Sequence, residues 1–270
     1  MSNFRKKYDH IKGAISSAMS ENAADLWGRL ASGGNILEYG CGDGVAALAM
    51  AHHFPRCNVL GVDLHNAFDR LPERALSEGF ESCRPTNLGF AQLSDVGRDH
   101  AIAPEFASIS YQALPGDGSI DFCYSWCVFE HINLRLIEEV LNVIRKALSR
   151  DGLFYLKINP LYFSNRGAHL NFILDEPWVH LLHEHHELER IFYEAAEVKN
   201  FKEAKAVWYQ YITLNRLTAD VLSELIEKSG FSILHENRLY EGKPSAALLS
   251  AYNEEALRNK EVEYILRRTN

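Results

Sequence analysis

Short apolar runs alternate with longer amphipathic stretches along this chain, a pattern that predicts a parallel sheet covered by helices. Asn35–Tyr39, Asn58–Asp63, Ala107–Ser110, Ser119–Tyr124 and Leu153–Ile158 are the predicted strands, each almost continuously apolar, as a strand buried on both faces requires. Leu134–Ser149 predicts a helix: Ile137, Val140, Leu141, Ile144 and Leu148 recur along one stripe, and Asp151-Gly152 closes the unit. After Ile158 the rhythm breaks over residues 159–216, which are rich in His, Glu and aromatics and read as a lid inserted between sheet elements. A helix over Thr218–Ser229 follows, with Thr218 as N-cap and Gly230 as stop. A strand at Phe231–Leu239, a helix around Ala246–Arg258 and a closing strand at Val262–Arg267 end the chain. Residues 1–30 read as an amphipathic helical approach, and residues 81–106 as an irregular connection. The expected units are thus 1–30 helical, 31–158 an α/β core, 159–216 an acceptor-binding lid, and 217–270 the completion of the sheet.

The composition fits one sizeable core. Of 270 residues, 47% are hydrophobic and 24% charged, which excludes disordered and collagen-like chains. Lys and Arg total 28 against 36 Asp and Glu, a net charge of −8, so the chain as a whole repels polyanions. A nucleic-acid partner would need a local patch such as Arg145, Lys146 and Arg150, and is not expected. Apolar runs fall short of the roughly 20 residues that span a bilayer, and the N-terminus has no apolar leader, so a cytoplasmic location with no membrane partner is expected. Five cysteines without a CxxC pair read as buried reduced thiols and argue against a thiolate zinc site.

Candidate chemistry begins at Ile36-Leu37-Glu38-Tyr39-Gly40-Cys41-Gly42-Asp43-Gly44-Val45, where three glycines alternate directly after a strand and before a helix. A turn that lets a ligand lie against its backbone has no room for Cβ atoms and demands positive φ angles, and glycine meets both needs. Asp63 ends the next strand, where a carboxylate can accept both hydroxyls of an adenosine ribose. A dinucleotide fingerprint would need its third glycine at Val45, which weakens a pyrophosphate reading and with it an NAD-dependent oxidoreductase. Glu38, inside the strand, suits a ligand that carries an ammonium group.

These residues resemble motif I of the class I S-adenosylmethionine-dependent methyltransferases. Leu114-Pro115, Asp117–Asp121 and Val128-Phe129-Glu130-His131-Ile132 are similar to a later stretch of the type 11 group, and Leu148–Leu153 to its approach to strand five. The resemblance covers residues 30 to 158, with further likeness in Leu214–Thr218, Gly230-Phe231 and the final VEYILRRT, where such chains insert their last strand antiparallel. It implies an α/β fold with a doubly wound, mostly parallel seven-stranded sheet. It implies S-adenosylmethionine as cofactor, with S-adenosylhomocysteine as product. By the same resemblance Gly40, Cys41, Gly42 and Gly44 would hold the methionine part and Glu38 its ammonium. Asp63 and Leu64 would hold the ribose, Ser110, Tyr111 and Gln112 the adenine, and Ser125 and Trp126 would line the sulfonium.

Two histidines are candidate catalytic groups. His169 follows the small pair Gly167-Ala168 at the mouth of the lid, suited to take a proton from an acceptor hydroxyl, and His131 follows the fourth core strand. Glu130 has a plainer reading as a carboxylate at the positive end of the following helix. A divalent metal on an E-x-x-E-H pattern is not expected, since Cys127 stands at the first acidic position. His180 and His183 are spaced for a solvated helix face, and HEHHE is not a zinc-protease motif. Tyr162, Phe163, Trp178, Trp208, Tyr209 and Tyr211 would divide between lid core and pocket wall. The expected activity is methyl transfer to a small-molecule acceptor, most readily at oxygen. The alternatives are a cofactor-binding regulatory protein without turnover and a methyltransferase of macromolecules.

Overall fold

Near-continuous apolar strands separated by amphipathic helices leave one arrangement that buries both strand faces, and the structure, a computed structural model, adopts it. Residues 9–13, 16–17, 21–64, 69, 71, 85–95, 109–110, 114 and 118–269 are described. The strands are β1 (Asn35–Tyr39), β2 (Asn58–Asp63), β3 (Leu88–Gln92), β4 (Ser94–Asp95), β5 (Ile109–Ser110), β6 (Ile120–Trp126), β7 (Leu148–Ile158), β8 (Phe231–Tyr240) and β9 (Asn259–Arg268). Seven of them form one sheet in the order β3-β2-β1-β6-β7-β9-β8, and β4 and β5 form a separate antiparallel pair. Neighbours from β3 to β7 pair in parallel, whereas β9 inserts antiparallel between β7 and β8. The order reverses between β1 and β6, and a doubly wound sheet opens its ligand crevice at such a reversal.

The helices are α1 (Glu21–Ser32), α2 (Val45–His53), α3 (Leu134–Ala147), α4 (Val179–Leu182), α5 (His185–Val198), α6 (Ala204–Thr213), α7 (Ala219–Lys228), α8 (Ala246–Ala251) and α9 (Glu254–Arg258). On one sheet face, Ile137, Val140, Leu141 and Ile144 of α3 and Leu222 and Ile226 of α7 pack on Leu37, Phe154, Leu156 and Tyr264. The other face carries Leu26 and Leu30 of α1, Ala47 and Met50 of α2, and Ile11, against Ile36, Phe122, Tyr124 and Tyr155. Adjacent residues of one strand, Ile36 and Leu37, thus serve opposite cores, as the two-residue side-chain period dictates. A further core of Leu170, Leu188, Phe192, Trp208 and Tyr211 belongs to the inserted segment.

Several expectations are corrected. The third sheet strand is Leu88–Gln92, inside the stretch read as irregular, while Ser110 lies in the separate β4–β5 pair rather than in the sheet. Leu88–Gln92 lies at the sheet edge and includes Gly89, so its apolar signal is short and diluted. The helix after the fourth core strand ends at Ala147, because Leu148 already adopts extended dihedrals and starts β7. The single helix expected around 246–258 is two, divided at Tyr252, with Asn253 capping the second through Ala256 N. Among the described residues, no helix is long and apolar enough to cross a membrane.

Candidate functional site

The turn between β1 and α2 is built from glycines in the left-handed region. Gly40 has φ 79° and Gly42 φ 52°. A Cβ at Gly40 would sit 2.6 Å from Val128 Cγ1, so the turn lies flush against the chain leaving β6. Gly42 is the opposite case: nothing lies within 4 Å of where its Cβ would point. That open side is the backbone surface a ligand needs. The turn is pinned to β2, since Gly40 N and Cys41 N both donate to Val62 O at 2.8 and 3.0 Å, and Gly42 N donates to Asp63 Oδ2 at 2.8 Å. Burial, with Glu38 and Asp63 nearby, pushes the Cys41 thiol far up, so it stays protonated and is no nucleophile.

Glu38 is buried in β1, opposite Tyr124 of β6 in the strand register. Burial and that carboxylate push the Tyr124 phenol well up. Ser125 is fully buried and donates its hydroxyl to Tyr39 O at 2.9 Å, so it braces the end of β1. Trp126 is half-buried, with the Lys157 ammonium 4.6 Å from its ring centroid and the His10 ring edge-on at 5.2 Å. Lys157 bonds Glu261 at 2.5 Å and Glu263 at 2.6 Å, and His10 bonds the same Glu263. Leu64 O accepts from the Gln92 side chain at 3.0 Å. Tyr111 and Gln112 lie outside the described residues, as does the side chain of Ser110.

Past β6 the chain turns sharply. Cys127 takes φ 56°, and Phe129–His131 form one turn of 3-10 helix ahead of α3. Glu130 therefore does not occupy the first turn of α3 as expected; Asn133 Oδ1 caps that helix through Arg135 N. Glu130 is instead only 3% exposed, and burial raises its carboxyl to about 8. The backbone amides of Glu130 and Asn159 lean toward it and oppose that rise, yet neither oxygen closes a regular hydrogen bond among the described residues.

His169 is delivered from the insert. Its turn is tight, because a Cβ at Gly167 would collide with the Tyr162 carbonyl, and His169 itself has φ 58°. The rings of His131 and His169 meet edge-to-face at 5.3 Å between centroids. The His169 Nε2 is buried without a partner among the described residues. Burial and the neighbouring His131 push His169 down to about 4, and burial lowers His131 as well. Both rings are neutral at pH 7. Sequence reasoning missed Asn215, whose side-chain amide donates to Phe129 O and Ile132 O at 2.6 and 2.7 Å while its backbone N donates to Glu130 O. An amide at the point where the insert rejoins the core was the available signal.

The lid histidines are not one solvated face. His180 is buried and donates Nε2–H to Tyr162 O at 2.7 Å, while His183 sits between the carboxylates of Glu176 and Glu187. Tyr162, Trp178, Trp208 and Tyr211 are core, whereas Tyr209 is 52% exposed. The Trp178 indole donates to Leu257 O and ties the insert to α9.

The sequence profile of the methyltransferase-domain family matches residues 10–236, most of the chain. An uncharacterized protein of Rickettsia prowazekii is 25% identical over 126 residues, 47% of this chain and 43% of that protein. Among solved structures, a Galdieria sulphuraria protein described as a sarcosine dimethylglycine methyltransferase is similar at TM-score 0.53 and 12% identity, over 98% of this chain and 88% of that one. PKMT2 of Rickettsia typhi, solved with AdoHcy, is similar at TM-score 0.49 and 19% identity over 90% of this chain, which spans about half of its length. With the profile match and the antiparallel β9 between β7 and β8, the chain belongs to the methyltransferase-domain family and has the sheet of the class I S-adenosylmethionine-dependent enzymes.

Proposed function

We propose that the chain transfers a methyl group from S-adenosylmethionine to an oxygen of a small-molecule acceptor. The cofactor supplies a methyl carbon made electrophilic by its sulfonium. The cradle fits such a molecule: Gly42 leaves open space where a side chain would stand, and Asp63 and Glu38 place carboxylates at the ends of β2 and β1. Gly40, Gly42 and Gly44 would hold the amino-acid part, Glu38 its ammonium, and Asp63 the ribose.

The observation that carries the choice of oxygen is the His131–His169 pair, which meets edge-to-face with the His169 Nε2 buried and unpartnered among the described residues. An alcohol or phenol is a weak nucleophile until its proton leaves, whereas a neutral amine attacks through its own electron pair and loses a proton afterwards. The paired rings would give the acceptor hydroxyl a polar seat. Alignment of acceptor and methyl carbon contributes roughly 7–11 kcal/mol to such reactions, and the polar seat adds to it by orienting the oxygen. The net charge of −8 favours a small acceptor over a nucleic acid. Incubation with methyl-labelled S-adenosylmethionine and separate pools of hydroxylated, amino and thiol compounds, protein and RNA tests the reading. Label recovered in a small-molecule ether supports it; label confined to N-methyl products or to macromolecules contradicts it.

A further inference from the structure

Alignment and two neutral histidines do not call for a buried carboxylate, yet Glu130 adjoins both rings. Burying such a group without partners is costly. A cation bound beside it would supply the missing partner. One oxygen of Glu130 and one ring nitrogen each of His131 and His169 lie within 4.8 Å of one another. Donor atoms around one ion lie roughly 3–4 Å apart, given bonds of about 2.0–2.2 Å, so small rotations bring all three onto a common centre.

The supporting shell has the form that ligands require. The His169 Nε2 is buried without a partner among the described residues, which leaves that nitrogen available to a cation. Asn215 ties down the turn that carries Glu130 and His131 through three hydrogen bonds. The His131 side chain keeps part of its surface in solvent, which leaves the centre open on one side. A second group of similar composition, His10, Glu261 and Glu263, differs in kind, because the Lys157 ammonium already bonds both carboxylates. Cys127, which at sequence level counts against a metal, is not needed, since the third donor comes from the insert.

We propose that Glu130, His131 and His169 hold a divalent first-row transition cation, with its open positions facing the acceptor. Two imidazoles and one carboxylate suit zinc, manganese, iron or cobalt, rather than magnesium or calcium, which prefer oxygen donors. The binding stands on the geometry alone; the chemistry rests on the methyl-transfer reading. An acceptor hydroxyl that coordinates the cation releases its proton to water and remains as a bound oxyanion. Its oxygen then bonds the methyl carbon as the carbon–sulfur bond breaks, and the electron pair of that bond stays on sulfur.

Cobalt(II) is the probe, because its visible absorption reports imidazole coordination. The full chain, stripped with a chelator, is titrated with cobalt chloride and then with zinc and manganese in competition. S-adenosylhomocysteine binding is measured calorimetrically on the same samples. The expected result is one cobalt per chain with a visible spectrum, weakened at least about tenfold in each of Glu130→Gln, His131→Gln and His169→Gln. Calorimetry shows which variants still fold. Absence of metal uptake by the native chain, or uptake undiminished in variants that still bind S-adenosylhomocysteine, overturns the metal site and leaves the methyltransferase reading intact. A chain that binds neither cobalt nor S-adenosylhomocysteine overturns both.

Discussion

Gly42 N donates to Asp63 Oδ2 at 2.8 Å, so the carboxylate at the end of β2 organises the glycine turn. The bond joins two neighbouring parallel strands at their C-terminal ends, the edge where doubly wound sheets bind ligands. Asp63 thereby shapes the cradle before any ligand arrives.

Asp63→Asn removes the charge from that bond and from the ribose contact proposed for Asp63, while it keeps the side-chain size. A charge-assisted hydrogen bond contributes about 1.5–3 kcal/mol, so S-adenosylhomocysteine affinity should fall by roughly ten- to a hundredfold. Isothermal titration of the variant checks this, and an unchanged dissociation constant refutes the role.

Gly40→Ala places a methyl group against Val128 and forces alanine to φ 79°. Overpacking costs about 1–3 kcal/mol and a left-handed alanine about 1–2 kcal/mol. Urea unfolding should show a loss near the sum, and adding Val128→Ala should recover the steric part. Failure of the second substitution to recover any stability would show that the contact is not the cause.

Asn215→Ala leaves the Phe129 and Ile132 carbonyls without their side-chain donor. The expected cost is about 1–3 kcal/mol, with turnover reduced more than cofactor affinity, because the turn that carries Glu130 and His131 loosens while the glycine cradle is untouched. Asn215→Asp retains one acceptor and neither donor, and should behave like the alanine variant.

His169→Gln and His131→Gln should reduce methyl transfer by roughly 10²–10⁴-fold, the range set by groups that manage a proton in the transition state. S-adenosylhomocysteine affinity should stay within about twofold of the native value. A variant that keeps full turnover at saturating acceptor would remove that histidine from the mechanism.

His180 gives the lid a pH response. Its Nε2–H is held by Tyr162 O and its Nδ1 is buried without a partner among the described residues, so protonation would bury a charge. Burial lowers its pKa from 6.5 to about 4, with smaller contributions from His169 and Arg216, while the bond to Tyr162 O opposes the shift. The unfolded chain takes up this proton first as pH falls. Stability is thus intact above pH 6.5 and declines toward about pH 4, by about 3 kcal/mol at 1.36 kcal/mol per pH unit. Denaturant titrations followed by tryptophan fluorescence should show this slope. His180→Asn, which keeps an N–H for Tyr162 O, should flatten it.

Much of this architecture is legible from the chain. The alternation of apolar runs yields β1, β2, β6 and β7, and the Gly40–Gly44 spacing marks the tight positive-φ turn after β1, because both depend on local chemistry. The edge strand Leu88–Gln92 is not legible in the sequence, since none of its residues is fully buried and Gly89 interrupts its pattern. Glu130 was misplaced for another reason. Its burial follows from the 3-10 turn, from Asn215 85 residues later and from His169 in the insert, contacts that no local window contains. His131 and His169 were singled out separately, and only the fold brings their rings to 5.3 Å.

Calorimetric titration of the ligand-stripped chain with S-adenosylhomocysteine bears most directly on the central claim, that the turn from Gly40 to Gly44 and the carboxylate of Asp63 form a cofactor cradle. The account predicts saturable binding of one molecule per chain, weakened by Asp63→Asn and unaffected by His169→Gln. Absence of heat from the native chain, together with absence of thermal stabilisation by the same ligand, would contradict it.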